Sequence, residues 1–284
     1  MTMEVSLVLA TLGRTEEVGR LVDSLLAQTD GKFELLVMDQ NPDDRLVPYV
    51  EKAHLGGIDV IHHRLERPGL SNARNKGIAL ARHDVVAFPD DDCWYEATVI
   101  ERVRGSMMAG GLDGVVARWS EQAGSGYNTG YRLDRDAWRH FRGGHASSIS
   151  LFLRRTLLVS LAGFDERLGI GQWFGAAEET DLVLRALDHG ASIEYVPDIR
   201  VHHAYPPRYN GALFDECDKA RRRSRGTGAI YAKHRLPLAV ILRGLLAPVV
   251  NSLVLWPQPL RFMTAIASSL GRLEGLVRWR LRER

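Results

Sequence analysis

The apolar positions of the first two hundred residues alternate between two spacings. Residues 5–10 (Val-Ser-Leu-Val-Leu-Ala) form a short apolar run suited to a buried strand. Thr15 follows as a helix cap, with Glu16 and Glu17 in the first turn, where the helix dipole favours acids. Val18, Leu21, Val22, Leu25 and Leu26 then recur at helical spacing. Further strands are predicted over 33–38, ending in Asp39, over 58–63, and over 84–88. A Pro68-Gly69 break precedes a helix capped by Ser71 and running to about Ala81. Strand alternating with helix predicts an α/β fold with a mostly parallel, doubly wound central sheet flanked by helices. The stretch 119–148 is rich in Gly, Ser, Tyr, Trp and Arg and reads as long loops, with Gly124–Gly130 able to close over a ligand. A strand over 148–153, a helix near 156–161, a helix from Glu178 closed by Gly190, and a strand over 191–197 follow.

Near residue 212 the pattern changes, which divides the chain into an α/β domain over 1–211 and a helical, basic and apolar extension over 212–284. Residues 201–284 hold 15 Lys/Arg against 5 Asp/Glu, a net +10, whereas residues 1–200 hold 22 against 30, a net −8. The apolar run Gly244–Trp256 is shorter than the roughly 20 residues a bilayer span requires. Apolar segments flanked by arginines, with Trp256 and Trp279 among them, suit a helix lying in a lipid interface. A helical extension packed on the main domain, or a dimer contact, suits them too. Cys93 and Cys217 fit no zinc or redox spacing, and a reducing compartment is expected. The first residues carry no basic leader before the strand pattern, so no secretory signal is expected. The expected location is cytoplasmic, peripheral at the cytoplasmic face of a membrane, where the basic tail meets an anionic surface; no nucleic-acid partner is expected.

Chemistry concentrates where strands end, the place open α/β sheets bind ligands. Phe88-Pro89-Asp90-Asp91-Asp92 sets three carboxylates side by side after an apolar strand. They repel one another unless a cation is near, and their oxygens suit the hard ions Mg²⁺ and Mn²⁺. A solvated acidic turn is the alternative. Glu178-Glu179-Thr180-Asp181 opens a helix: its acids either complement the dipole or include a base that takes a proton from an attacking hydroxyl. His202-His203 is a structural turn or the completion of a metal shell. Gly69 through Gly77 is a helix start whose backbone donors and Arg74 could meet an anion. Trp173 and Phe174 either stack on the flat face of a bound ligand or fill the core. The glycines of 169–175 do not follow a strand and are not a dinucleotide fingerprint.

Taken in order, these motifs resemble the family 2 glycosyltransferases, which have the Rossmann-like GT-A fold; the resemblance spans roughly residues 4–210. Thr11-Leu12-Gly13-Arg14 resembles the family's first loop, and Asp39 its base-contacting acid, although Gln40 stands where a second Asp is common. The resemblance implies donor-nucleotide contacts by Thr11, Arg14, Asp39, Arg74, Asn75, Asp90 and Asp91. It implies a metal held by Asp92, with Asp90 at the motif's other end, and completed by His203, with His202 as the alternative. Gly163-Phe164-Asp165-Glu166 followed by Glu178-Glu179 resembles the acceptor-side motif, with Glu179 as the implied base beside Glu178 and Asp181 in reserve. The implied reaction is inverting transfer of a sugar from a nucleotide-sugar donor to a hydroxyl acceptor, dependent on Mn²⁺ or Mg²⁺, in polysaccharide, glycolipid or glycoconjugate synthesis. A sugar nucleotidyltransferase would also hold metal on aspartates, but calls for a longer phosphate-cradling loop after the first strand. An inert, tail-anchored nucleotide-sugar binding protein is the non-enzymatic alternative.

Overall fold

The first apolar run forms an interior strand of the sheet, between two parallel neighbours. The computed structural model describes residues 3–121, 128–144, 146–204, 212–254 and 259–283. Its first half runs β1 (Val5–Thr11), α1 (Glu16–Leu26), β2 (Phe33–Asp39), α2 (Val47–Leu55), β3 (Asp59–Arg64), α3 (Leu70–Leu80), β4 (Val85–Ala87), β5 (Cys93–Tyr95), α4 (Val99–Gly110) and β6 (Gly114–Trp119). Then come β7 (Tyr131–Arg132), α5 (Arg135–Arg139), β8 (Leu151–Arg154), α6 (Arg155–Ser160), α7 (Glu178–Asp188) and β9 (Ile193–His203), followed by α8 (Leu213–Lys233), α9 (Leu238–Val254) and α10 (Pro259–Arg282).

β1 and β2 are buried along their whole length, and their side chains alternate between two cores, as strand geometry requires. Val8, Leu36 and Met38 join the core that contains Ala73 and Ile78 of α3. Leu7, Leu9, Leu35 and Val37 join the one that contains Val18 and Leu21 of α1. Gly77 lets α3 press onto the sheet: a Cβ there would lie 2.2 Å from Val8 Cγ1. Any larger residue would push Arg74, one turn earlier, out of place.

The sheet order is β3-β2-β1-β4-β8-β6-β9-β5, with β7 on β9. β3, β2, β1 and β4 are parallel, and so are β6 and β9. β8 runs antiparallel to both β4 and β6, and β5 antiparallel to β9. The sheet is thus mixed but mostly parallel, flanked by helices. In the β5–β9 pairing Cys93 stands opposite His203. That brings the end of the aspartate triplet against a residue more than a hundred positions later.

Several local expectations shift. Thr15 sits at the α1 cap position, but its side chain makes no capping bond. α3 begins at Leu70 after Gly69, and Ser71, inside the helix, donates instead to the Leu168 carbonyl at 2.8 Å. The strand predicted from Ser148 begins as a 3₁₀ turn, Ser148–Ser150, and β9 runs on to His203. The pattern predicts neither α2, α4 nor β6, whose apolar residues follow no clean period. Most of the Gly124–Gly130 loop lies outside the described residues, as does Trp256.

The C-terminal helices pack on the α/β body through specific contacts. Gly226 of α8 is pressed onto the segment before α7, where a Cβ would lie 2.0 Å from the Ala176 carbonyl oxygen. Lys233 Nζ reaches Asp165 at 2.6 Å and Asp181 at 2.8 Å, and His234 Nε2 lies 2.9 Å from Asp181. Arg225 pairs with Glu274 at 2.9 Å, tying α8 to α10. Trp279, expected at a lipid interface, is 1% exposed; its ring lies 5.1 Å from Phe174, with Arg167 4.1 Å above it. A large ring with an apolar pocket available contributes more inside than at a surface. Among the described residues no helix is long and apolar enough to cross a membrane.

Candidate active site

The carboxyl ends of β1 and β4 and the start of α3 border one cleft of about 620 Å³. Arg14, Gln40, Asp90, Asp91, Asp92 and His203 face it from the α/β body, Ile170 and Gly171 from the loop before α7, and Arg223 from α8. This volume is in the range of small-ligand sites.

Each aspartate of the triplet has its own surroundings. Asp90 Oδ1 accepts from Arg74 Nη2 at 2.9 Å, and burial pushes its carboxyl above the usual range against that pull. Asp91 accepts from Thr11 Oγ1 at 2.9 Å and lies 3.3 Å from Arg14 Nε. Burial, reinforced by its two neighbours, still raises its pKa to about 6. Asp92 lies 2.8 Å from both Arg14 Nη2 and His203 Nε2. Burial opposes its charge, but His203 and Arg14 overcome that and hold it below its ordinary value. The Asp92 hydrogen bond in turn raises His203.

Among the described residues no three His, Cys, Asp or Glu side chains form a preassembled ion cage. The donor set nevertheless suits a hard cation that shares its shell with a diphosphate. Asp92 Oδ1 and His203 Nε2 are joined directly at 2.8 Å, so the imidazole would have to give up the shared proton before both atoms could face an ion. His202 does not compete. Successive strand residues face opposite ways, and its ring stacks on Trp94 at 5.3 Å while Nδ1 lies 2.6 Å from Glu121.

Arg74 joins the two acidic motifs. It is 2% exposed, and besides Asp90 it donates to Ser148 Oγ at 2.9 Å and to Glu178 Oε1 at 3.1 Å. The left-handed backbone of Ala177 (φ +76°), a conformation costly for a residue with a Cβ, turns the chain into α7 at this point. Glu179, next to Glu178 and partly buried, is not among the cleft-lining residues. Burial, and then the Glu178 charge, push its pKa up to about 8. A base poised near neutrality has this character. Gly169, immediately before the cleft-lining loop residues, backs onto Glu178: a Cβ on it would meet the Glu178 carboxyl carbon at 3.3 Å.

Other expected site residues are placed differently. Arg74 is enclosed by protein partners, so the cations that line the cleft are Arg14 and Arg223. Arg223 is one of four arginines within residues 221–225, and nothing local in the sequence distinguishes it from the other three. Asp39 is fully buried, accepts from the Asn41 backbone and side chain at 2.8 Å, and lies 2.9 Å from His62 Nε2. The neighbouring Gln40 lines the cleft instead, with its Oε1 accepting from Gly69 N at 2.6 Å. Asn75 uses its amide on Phe164 and Glu166, bracing α3 against that segment. Asp181 is fully buried, is held by Arg185, Lys233 and His234, and is not among the cleft-lining residues. Phe174 is 1% exposed and belongs to the core. Trp173 lies between the guanidinium groups of Arg225 and Arg278, at 4.5 and 4.1 Å from its ring centre.

Known proteins share this sequence pattern and architecture. Residues 6–156 match the family model "Glycosyl transferase family 2". The chain is 27% identical over 296 aligned residues to the pre-mycofactocin glycosyltransferase of Mycobacterium tuberculosis, covering 96% of this chain and 55% of that protein. It therefore spans about half the length of that relative. It is 30% identical to the glucosyl-dolichyl phosphate glucuronosyltransferase of Haloferax volcanii, over 71% of this chain and 69% of that one. Among solved structures, the mannosyltransferase PcManGT from Pyrobaculum calidifontis, in complex with GDP-Man and Mn²⁺, superposes with a TM-score of 0.68 at 16% identity, covering 100% of this chain and 89% of that one. S. aureus TarS 1–349 in complex with UDP-GlcNAc gives 0.63 at 14% identity, covering 94% and 90%. These two likenesses establish a shared GT-A fold. With the match across more than half its length and the Haloferax relative, the chain belongs to glycosyl transferase family 2.

Proposed function

We propose that this chain transfers a sugar from a nucleotide-sugar donor to a hydroxyl acceptor, with inversion at the anomeric carbon. The observation that carries the reading is Arg74, buried and bonded at once to Asp90 and Glu178. It makes one unit of the diphosphate-side and acceptor-side acids. The donor's diphosphate would lie in the cleft between Arg14 and Arg223, with Gln40 toward the base. Asp92 and His203, with Asp90 nearby, would hold Mn²⁺ or Mg²⁺. A bound ion there supplies Lewis-acid neutralisation of the leaving diphosphate, worth several kcal/mol.

Glu179 takes the acceptor hydroxyl's proton. The acceptor oxygen bonds to the anomeric carbon as the bond from that carbon to the diphosphate oxygen breaks, and the nucleoside diphosphate departs with both bonding electrons. Burial and the Glu178 charge keep Glu179 basic, while the Arg74 charge pulls the other way. Because transfer needs both leaving-group stabilisation and a base, neither acidic motif suffices alone.

The proposed setting is a membrane surface, with a lipid-linked or saccharide acceptor. The net +10 of residues 201–284 supports it, and so does a relative named as acting on glucosyl-dolichyl phosphate. The test is a donor screen with purified protein and Mn²⁺ or Mg²⁺, with products separated by chromatography. Release of nucleoside diphosphate is expected. Release of pyrophosphate would replace this reading with nucleotidyl transfer, and binding of a donor without turnover on any acceptor would replace it with an inert binding protein.

A further inference from the structure

The outer face of α9 is apolar from end to end. Leu238, Leu242, Leu246, Val250 and Leu253 are between 49% and 69% exposed. At successive spacings of four, four, four and three they form one stripe. The helix contains no acidic residue and one basic residue, Arg243, which follows Leu242 directly at the edge of the stripe. Soluble proteins seldom leave so continuous an apolar face to water.

Beside this face, α8, α9 and α10 border an open pocket of about 360 Å³ lined by Thr227, Tyr231, Val240, Arg243, Gly244 and Arg272, together with Phe141. Arg272 donates through Nη1 to the Gly244 carbonyl, and its Nε is buried with no acceptor. Arg243 donates to the His140 carbonyl. Among the described residues neither guanidinium has a carboxylate partner, whereas Arg221 and Arg225 share Glu274 and Arg222 pairs with Asp218. Two uncompensated cations and an unused buried donor make a site for an anion with several oxygens, and phosphate has that chemistry.

We infer that α9 seats in the interface of an anionic bilayer and that the cavity between Arg243 and Arg272 takes the phosphate of a phospholipid headgroup. Arg243 borders the stripe and lines the cavity, so acyl chains along the helix would place a headgroup at the guanidinium pair. A second copy of this chain is a poorer occupant: it would bring an equally positive surface against the same arginines. The inference deepens the membrane setting of the proposed function and rests on it, but needs neither donor nor turnover.

The test is sedimentation of the full chain with vesicles of phosphatidylcholine alone and with added phosphatidylglycerol, beside light scattering of the free protein. Binding to the anionic vesicles and not to the neutral ones is expected. Arg243→Gln, on an exposed side chain, should weaken it about five-fold, as one basic residue lost at a membrane surface does. The triple change Leu242→Ser, Leu246→Ser, Val250→Ser should weaken it more than ten-fold with unchanged circular dichroism. Arg235→Gln, outside the cavity lining, should have a smaller effect than Arg243→Gln. Vesicle binding that ignores both the triple change and Arg243→Gln would overturn the α9 assignment and leave the membrane setting standing. No vesicle binding at all would overturn both while leaving sugar transfer untouched. A concentration-dependent dimer abolished by the triple change would assign the face to a second copy instead.

Discussion

The Arg74 guanidinium stands 3.1 Å from the Glu178 carboxylate, inside the protein and across 104 positions of sequence. Its other nitrogen reaches Asp90 at 2.9 Å, so one arginine fixes the separation of two acidic motifs that would otherwise repel each other. Arg74 therefore acts as a positioning residue, and its loss should affect both stability and turnover. Arg74→Met should destabilise the fold by about 3–5 kcal/mol, the cost of leaving buried charges unpaired. Arg74→Lys keeps the charge but not the fork, and should recover stability better than turnover. Denaturant unfolding alongside initial rates checks both; equal recovery of the two by Lys would refute the positioning role.

Glu179, its pKa pushed up to about 8, should set an acidic limb on activity if it is the base proposed above. As the base it must be ionised, so kcat/KM should rise with pH through about 8. Glu178→Gln removes the neighbouring charge and should move that limb to lower pH. Glu179→Gln should cut turnover about 10²–10⁴-fold. A pH–rate profile with no limb between pH 7 and 9 would remove Glu179 from the reaction.

The same group predicts a stability effect of opposite sign. Its folded pKa lies above its unfolded value, so the folded state binds the extra proton between about pH 4.5 and 8 and loses stability as pH rises through that window. Glu179→Gln should therefore melt higher than the parent at pH 8.5 and close to it at pH 4.5. Calorimetry at the two pH values measures it.

His203 is expected to matter through the cation. His203→Ala should raise the Mn²⁺ concentration for half-maximal activity at least as much as losing an outer-sphere partner does, about 10–100-fold. Calorimetric titration of Mn²⁺ in the presence of nucleoside diphosphate gives the same comparison without turnover. His202→Ala, on the other face of β9, should leave that constant near the parent value.

Arg223 faces the cleft from α8, whereas its neighbour Arg222 pairs with Asp218. Arg223→Gln should raise the donor KM roughly ten-fold, the loss of one charge-assisted contact, and Arg222→Gln should not. Equal effects would mean that the basic cluster acts as a diffuse field.

Asp165 and Asp181 both lie below their ordinary values. For each, burial opposes the charge and is overcome: for Asp165 chiefly by Arg167 and Lys233, for Asp181 chiefly by His234, Arg185 and Lys233. Their contribution is complete above about pH 3.8 and is lost as pH falls through about 2 for Asp181 and lower still for Asp165. Lys233→Met, which strips a partner from both, should move the acid unfolding midpoint to higher pH. Acid titration followed by tryptophan fluorescence reads it.

From residues alone came the strands β1 to β4 and β8, the first half of β9, the helices α1, α3, α6 and α7, the aspartate triplet at a strand end, the paired acids opening α7, and the change of character near residue 212. All of these are local: period, chain breaks and clustered charge lie within a dozen residues of one another. Only the tertiary structure decided what met what. The short β5 has no pattern of its own, yet its antiparallel pairing with β9 sets His203 at Asp92 and turns His202 away. α3's close fit on β1 buries Arg74 as a bridge, and Arg223 reaches the cleft because Gly226 lets α8 press on the segment before α7. Phe174 and Trp279 became core by packing on each other across more than a hundred residues. Strand register and helix docking depend on partners far along the chain, and no local window holds that information.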